Sequence, residues 1–204
     1  IGARTLYVVT YWDDDFAGKN LLNVFKIRQG GLVFYGGFIG AALSTILYTR
    51  LKSVPLWQIA DAFAPSIALG HAFGRLGCLM TGCCYGKVCV LPWAIEFPKD
   101  HITHPHSVHP TQIYESGLNL ALYLALAVFY RRKRFEGQVF AVYLMSYAIL
   151  RAFVEMFRGD YADQKFTGLL TPGQQVGIGI FVAGAALYVI RSRTKPTTQP
   201  SNSA

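Results

Sequence analysis

The sequence predicts an all-α polytopic membrane protein: a helical bundle with five full transmembrane helices, the end of an earlier one and an extracytoplasmic loop region. Three observations carry this. Apolar residues make up 52% of the 204 residues, charged residues only 15%, and mean hydropathy is positive; a water-facing surface needs more charge than that. The apolar residues gather into separate segments near the length, about 20 helical residues, that crosses a bilayer requires. The basic residues sit in short runs between those segments. That distribution, and not the net charge of +8, excludes a nucleic-acid partner.

Taken in order, the chain opens on IGART without an initiator Met and without a basic, then apolar, signal-peptide pattern. It reads as a fragment entering near an earlier span, whose end falls at Tyr11. A loop over 12–30 carries the run Asp13-Asp14-Asp15. Full spans are expected over about 31–48, 54–73, 113–130, 137–154 and 171–190. Helices are the form expected, because lipid leaves backbone polar groups unsatisfied. TRLK after the first full span, RRKR after the third and RSRTK after the fifth hold nine of the 19 Lys and Arg. Alternating crossings put all three on one side, which the positive-inside rule makes cytoplasmic. The loops 12–30, 75–110 and 159–170 then face outward. Residues 1–190 form one polytopic domain on this reading, and 191–204, Pro- and Ser-rich, a disordered cytoplasmic tail. No internal repeat is visible, which argues against a transporter of duplicated halves.

Ionisable residues at the rims of the spans are the candidates for chemistry. Tyr147, Arg151 and Glu155 are four apart and share one helical face, with Arg158 beyond them. They read either as an interfacial pair snorkelling outward or as a polar lining at membrane depth. The second full span carries Asp61, Pro65, His71 and Arg75, and the glycines of GRLGC are expected to break its helix at the outer rim. A glycine-rich turn beside an Arg can offer backbone N–H groups to a phosphate, and is otherwise a tight turn. Cys78, Cys83, Cys84 and Cys89 follow a C-x4-C-C-x4-C pattern that fits zinc spacings poorly. No metal and no cofactor are assigned. Disulfides or buried thiols are the favoured reading, with a metal site shared with the nearby His101, His104, His106 and His109, or a catalytic Cys, as alternatives. Gly30-Gly31 and Gly36-Gly37 suit close helix packing or substrate approach. Pro110 suits a helix start, with Gln112 and Glu115 as first-turn polar residues.

Four blocks in order, GARTLYV, GGLVFYGG, GRLGCLMTGCCYG and HPTQIYE, followed by YAILRAFVEMFRGD, resemble the bacterial prolipoprotein diacylglyceryl transferase family over nearly the whole chain. The resemblance implies an enzyme of the bacterial cytoplasmic membrane with about seven spans, of which this chain lacks the first and most of the second. The implied reaction moves the diacylglyceryl group of phosphatidylglycerol to the thiol of a lipobox cysteine in a prolipoprotein, forming a thioether and glycerol 1-phosphate, at a site opening to the periplasmic face. Such a displacement needs a thiolate, hence a base. It also needs groups that hold the departing phosphate, a task for Arg. Arg75 and Arg151 match the family's arginines and are assigned the phosphate, with Glu155 and Tyr147 orienting Arg151 or lining the site. Arg4, Tyr7, Asp61, Gly77, Gly86, Gln112 and Tyr114 match family blocks as substrate-binding positions.

The chain departs from the family at three places. Tyr35 stands where the family often has the His that serves as candidate base, and Cys78 and Cys83 stand where it often has Asn and Glu. A phenol of ordinary pKa near 10 is a poor base unless a cation lowers it; Tyr35 is kept among the catalytic positions with Arg75, Arg151 and Glu155, and His71 and His109 are the alternatives for the base. Two other classes of function are weighed: a phosphatidylglycerol-binding membrane protein without catalysis, and a thiol oxidoreductase using Cys83-Cys84. The missing C-x-x-C motif disfavours the oxidoreductase.

Overall fold

A computed structural model describes residues 1–12, 16, 24, 33–160 and 171–194. Among these residues there are six helices: α1 (Gly2–Thr10), α2 (Phe34–Lys52), α3 (Leu56–Thr81), α4 (Thr111–Tyr130), α5 (Gln138–Glu155) and α6 (Pro172–Arg193). Among the described residues there is no β-strand; isolated bridges join Gly86 to Arg158 and pair Val108 with Val88 and Ile95. The acidic run of the 12–30 loop, most of the 159–170 loop and the tail from 195 onward lie outside the described residues.

Among the described residues three helices are long and apolar enough to cross a membrane: α4, α5 and the stretch Gly173–Arg193 of α6. Their outward faces carry Leu120, Leu124, Val128, Val176, Phe181 and Val182, all exposed, as an apolar surrounding would require. The expectation of five full spans is therefore met at three. Glycine and hydroxyl residues dilute α2, and α3 carries Gln58, Asp61, His71 and Arg75. The predicted break at GRLGC does not occur: α3 continues through Gly74 and Gly77 to Thr81. An interior glycine costs a helix only about 1 kcal/mol, too little to end one.

The chain divides into two compact units at Leu56 and Trp57. In the first, α1 lies against α2 through glycines. A Cβ on Gly2 would sit 2.4 Å from the Gly36 carbonyl oxygen, and one on Gly36 would sit 2.5 Å from both Gly2 O and Leu6 Cβ. Gly36 and Gly40 are one turn apart, the small-residue spacing that lets two backbones touch. Arg4 donates from Nε to Val24 O at 2.9 Å, and its guanidinium lies over the rings of Tyr7 and Phe16.

In the second unit, Ala64, Ala68, Leu122, Leu126, Val139 and Tyr143 form the core between α3, α4 and α5. The small alanines let α3 approach closely, and Ser116 donates across to Ala72 O at 2.9 Å. Asp61 is wholly buried. Its carboxylate takes Lys133 Nζ at 3.1 Å, Gly137 N at 2.9 Å and Phe140 N at 3.0 Å. It thereby serves the otherwise orphaned N–H groups at the start of α5, where Gly137 has φ +88. A carboxylate at a helix N-terminus is also favoured by the helix dipole. All of Asp61's partners belong to the RRKR connection and the start of α5, at the end of α3 away from Arg75. Fourteen residues of helix separate Asp61 and Arg75, about 21 Å.

Asp61→Ala would leave Lys133 and two backbone donors buried without their partner. Breaking such a buried pair costs about 3–5 kcal/mol. The expected result is a large fall in the thermal midpoint of the detergent-solubilised protein, with a smaller fall for Asp61→Asn. An unchanged midpoint in Asp61→Ala would refute this role.

Candidate functional site

At the opposite end of the second unit, four ionisable side chains from three helices meet. Arg75 Nη2 lies 3.0 Å from Glu115 Oε1, and Arg151 Nη1 lies 3.5 Å from Glu115 Oε2. Arg151 Nη2 lies 2.9 Å from Glu155 Oε2. Glu115 and Glu155 are buried. Helical spacing explains the second pair, since residues four apart stack on one face. The pair does not snorkel outward; it faces α4 and α6.

The N-terminus of α6 closes one side. Thr171 Oγ1 donates to Glu155 Oε1 at 3.1 Å, and Thr171 with Gln174 forms a capping box. A Cβ on Gly173 would sit 2.7 Å from Glu155 Oε1, so only glycine leaves room for this carboxylate. The arginines nonetheless keep hydrogen-bonding capacity. Arg151 Nη1 is buried and has no in-line hydrogen-bond acceptor among the described residues. Its 3.5 Å contact with Glu115 is an ion pair without a hydrogen bond, which leaves an N–H to offer a ligand oxygen.

Aromatic groups line the inner wall. His71 lies against Tyr147 with ring centroids 5.0 Å apart, and its Nδ1 is 3.4 Å from Tyr143 Oη. Towards the loops, Tyr114 Oη accepts from Trp93 Nε1 at 2.8 Å and lies 3.3 Å from His109 Nδ1. His101 holds the Gly82 turn through Nε2 and Gly82 O, 2.8 Å apart.

The segment after α3 brings three thiols together. Cys78, Cys83 and Cys84 have their sulfur atoms within 4.8 Å of one another, and all four cysteines are free thiols. Arg75 Nη1 is 3.5 Å from Cys84 Sγ and 4.0 Å from Cys78 Sγ. Burial opposes ionisation of Cys83, but hydrogen bonds from Thr81, the Cys78 and Cys84 thiols and its own backbone N–H outweigh it and hold this thiol below its ordinary pKa. The loop itself is fixed from α4: Gln112 Nε2 donates to Cys83 O and Thr111 Oγ1 to Cys84 O, both at 2.7 Å.

The structure thus gathers Arg75, Glu155, Arg151, Tyr147, His71, Cys78, Cys83 and Gln112 in one region, with His109 and Tyr114 on its loop side. Asp61 stands apart, in the capping role described above. Gly86 meets backbone: its N–H donates to His109 O at 3.0 Å, and Gly159 N donates to Tyr85 O at 3.2 Å. Among the described residues nothing lies within 4 Å of where a Cβ on Gly77, Gly70 or Gly74 would sit. Arg4, Tyr7 and Tyr35 belong to the first unit, and the Tyr35 side chain lies outside the described residues. Glu115 is the site residue that sequence reasoning took for a first-turn polar group. The signal was present: a carboxylate four residues before Asn119 inside an otherwise apolar helix is expensive unless paired.

Comparison with known proteins gives a consistent result. Residues 1–190 match the model of the family described as prolipoprotein diacylglyceryl transferase. The phosphatidylglycerol–prolipoprotein diacylglyceryl transferase of Finegoldia magna is 40% identical over 190 residues, covering 93% of this chain and 72% of that protein. The protein of the same name from Bordetella avium is 37% identical over 205 residues, covering 98% and 75%. That from Nostoc sp. is 33% identical over 212 residues, covering 98% and 73%.

Two glycines give opposite expectations. A Cβ on Gly86 would meet His109 Cβ at 2.5 Å and His109 O at 2.6 Å, so Gly86→Ala should lower the thermal midpoint. A Cβ on Gly77 meets nothing within 4 Å, so Gly77→Ala should be neutral or gain up to about 1 kcal/mol of helix stability. Equal melting losses in the two variants would contradict this geometry.

Proposed function

The chain belongs to the prolipoprotein diacylglyceryl transferase family, and we propose that it transfers the diacylglyceryl group of phosphatidylglycerol to the lipobox cysteine thiol of prolipoproteins. The products are a thioether-linked lipoprotein and glycerol 1-phosphate. In the reaction the thiolate attacks the glyceryl carbon that bears the phosphate. A C–S bond forms, the C–O bond breaks, and its electron pair leaves on the phosphate oxygen. The phosphate thereby passes from a diester with one charge to a monoester approaching two.

The observation that carries this reading is the Arg75–Glu115–Arg151–Glu155 chain of ion pairs, built on two buried carboxylates. Two guanidiniums converge on one region, and their carboxylate partners hold them in place. Arg75 and Arg151 take the phosphate, and their attraction grows as its charge grows, which favours the transition state over the ground state. Glu155 orients Arg151, Glu115 spaces the two arginines, Tyr147, His71 and Tyr114 are assigned to the lipid head, and Gln112 serves it through the Cys83 turn that it holds. Arg4, Tyr7 and Tyr35 are assigned to the same substrates on family resemblance.

The proposed setting is the bacterial cytoplasmic membrane, with α2 and α3 as further spans. The RRKR connection abuts Asp61, at the end of the unit opposite the arginine cluster. With that connection cytoplasmic by its charge, the cluster faces the extracytoplasmic side and the C-terminus the cytoplasm.

Arg75→Ala and Arg151→Ala are each expected to lower transfer to a lipobox peptide by at least about 100-fold, the scale for removing one charge-stabilising donor. Release of glycerol phosphate from labelled phosphatidylglycerol measures it, and wild-type rates in either variant would sink the assignment. In a transferase-depleted bacterium the wild-type protein should restore growth. Lipid binding without glycerol phosphate release would favour a binding protein instead.

A further inference from the structure

We propose that Cys78, Cys83 and Cys84 form a three-thiolate site for one zinc ion, and that its open fourth position takes the thiol of the acceptor peptide. The inference rests on the transferase reading for the identity of that thiol.

The distances fit. Zinc binds thiolate at about 2.3 Å, which places two sulfurs on one tetrahedral ion about 3.8 Å apart. The three sulfur atoms already lie within 4.8 Å of one another, so small side-chain rotations close the site. Neighbouring residues in extended backbone point in opposite directions. Cys83 and Cys84 are neighbours, yet their thiols share one cluster because Cys84 is left-handed, with φ +64. Gln112 and Thr111, both almost wholly buried, grip the two carbonyls of this pair and hold the turn. Supporting hydrogen bonds of this kind set the direction of metal ligands.

The electrostatics fit as well. Three thiolates on a dication leave one net negative charge. Arg75 lies against two of the sulfurs and offsets it. Cys83 is exposed while Cys78 and Cys84 are half-buried, so the cluster is closed from one side and open on the other. Three protein ligands with an open position are the arrangement of a working zinc ion; a structural one has four.

The open position meets a chemical need. A thiol bound to a metal is deprotonated outright. On binding, the acceptor S–H bond breaks, the proton passes to solvent, and a metal–sulfur bond forms. When that sulfur attacks the glyceryl carbon, the C–S bond forms and the C–O pair leaves on phosphate beside Arg75. The resulting thioether is a weak ligand and departs. No side-chain base is required.

Co²⁺, whose thiolate complexes absorb strongly, serves as the probe. Metal-stripped protein in detergent should bind one Co²⁺ per chain, displaced by Zn²⁺. Cys83→Ser should lower the thiolate absorption by about one third, one sulfur of three, and Cys89→Ser should leave it unchanged. A lipobox peptide with its cysteine should raise the absorption by a similar step; the same peptide with Ser should not. Stripped wild-type protein tests the site without a substitution: transfer should fall at least tenfold and return with Zn²⁺. No saturable absorption, equal loss in Cys89→Ser, a disulfide within the cluster in place of metal, or no response to the peptide thiol would each overturn the proposal. Undiminished transfer by stripped protein would overturn it and leave the transferase reading intact. A full metal and peptide response with no transfer in any sample would overturn the transferase reading and leave the site.

Discussion

Glu115 is the group on which the site depends. It sits on α4 between an arginine from α3 and an arginine from α5. Without its charge the two guanidiniums would repel one another in a poorly hydrated space, and each would carry an uncompensated desolvation cost. With it, and with Glu155 beneath Arg151, two positive and two negative charges cancel. The ends of three helices converge because the charges do. The start of α6 joins them, since Thr171 and the bare backbone of Gly173 leave the Glu155 carboxylate a place to fit.

Much of this was legible in the sequence, for identifiable reasons. The apolar segments marked the helices because span length and hydropathy leave few alternatives. Tyr147, Arg151 and Glu155 were seen to share a face because helical spacing is local. Long-range pairing is not local. Asp61 and Arg75 share a helix and nearly a face, and only the packed structure reveals that one caps α5 while the other meets Glu115. Glycine density in GRLGC suggested a break, but backbone propensity is weak beside a hydrogen-bonded helix with its alanine face packed. Cys78 and Cys83 were visible departures from the family. Their convergence with Cys84 was hidden because it depends on one left-handed residue and on two side chains of another helix.

Arg75 is the meeting point of the two halves of the site. One edge of its guanidinium faces a carboxylate, and another faces two thiols. Arginine's planar fork permits this division, where the compact ammonium of lysine would not reach both. The ion-pair chain and the sulfur cluster are therefore one electrostatic system, and a change in charge on either is felt by the other.

Asp61 and Glu115 also fix how the bundle can move. At one end a buried carboxylate ties α3 to the start of α5; at the other a buried carboxylate ties α3, through α4, to the end of α5. Two rods fastened at both ends cannot splay apart like scissors without breaking a buried ion pair, at a cost of several kcal/mol. These helices are therefore not the ones that part when a ligand enters. The face of α3 that carries Gly70, Gly74 and Gly77, where an added Cβ would meet nothing within 4 Å among the described residues, is thus held open by a frame pinned at both ends and needs no hinge to stay so.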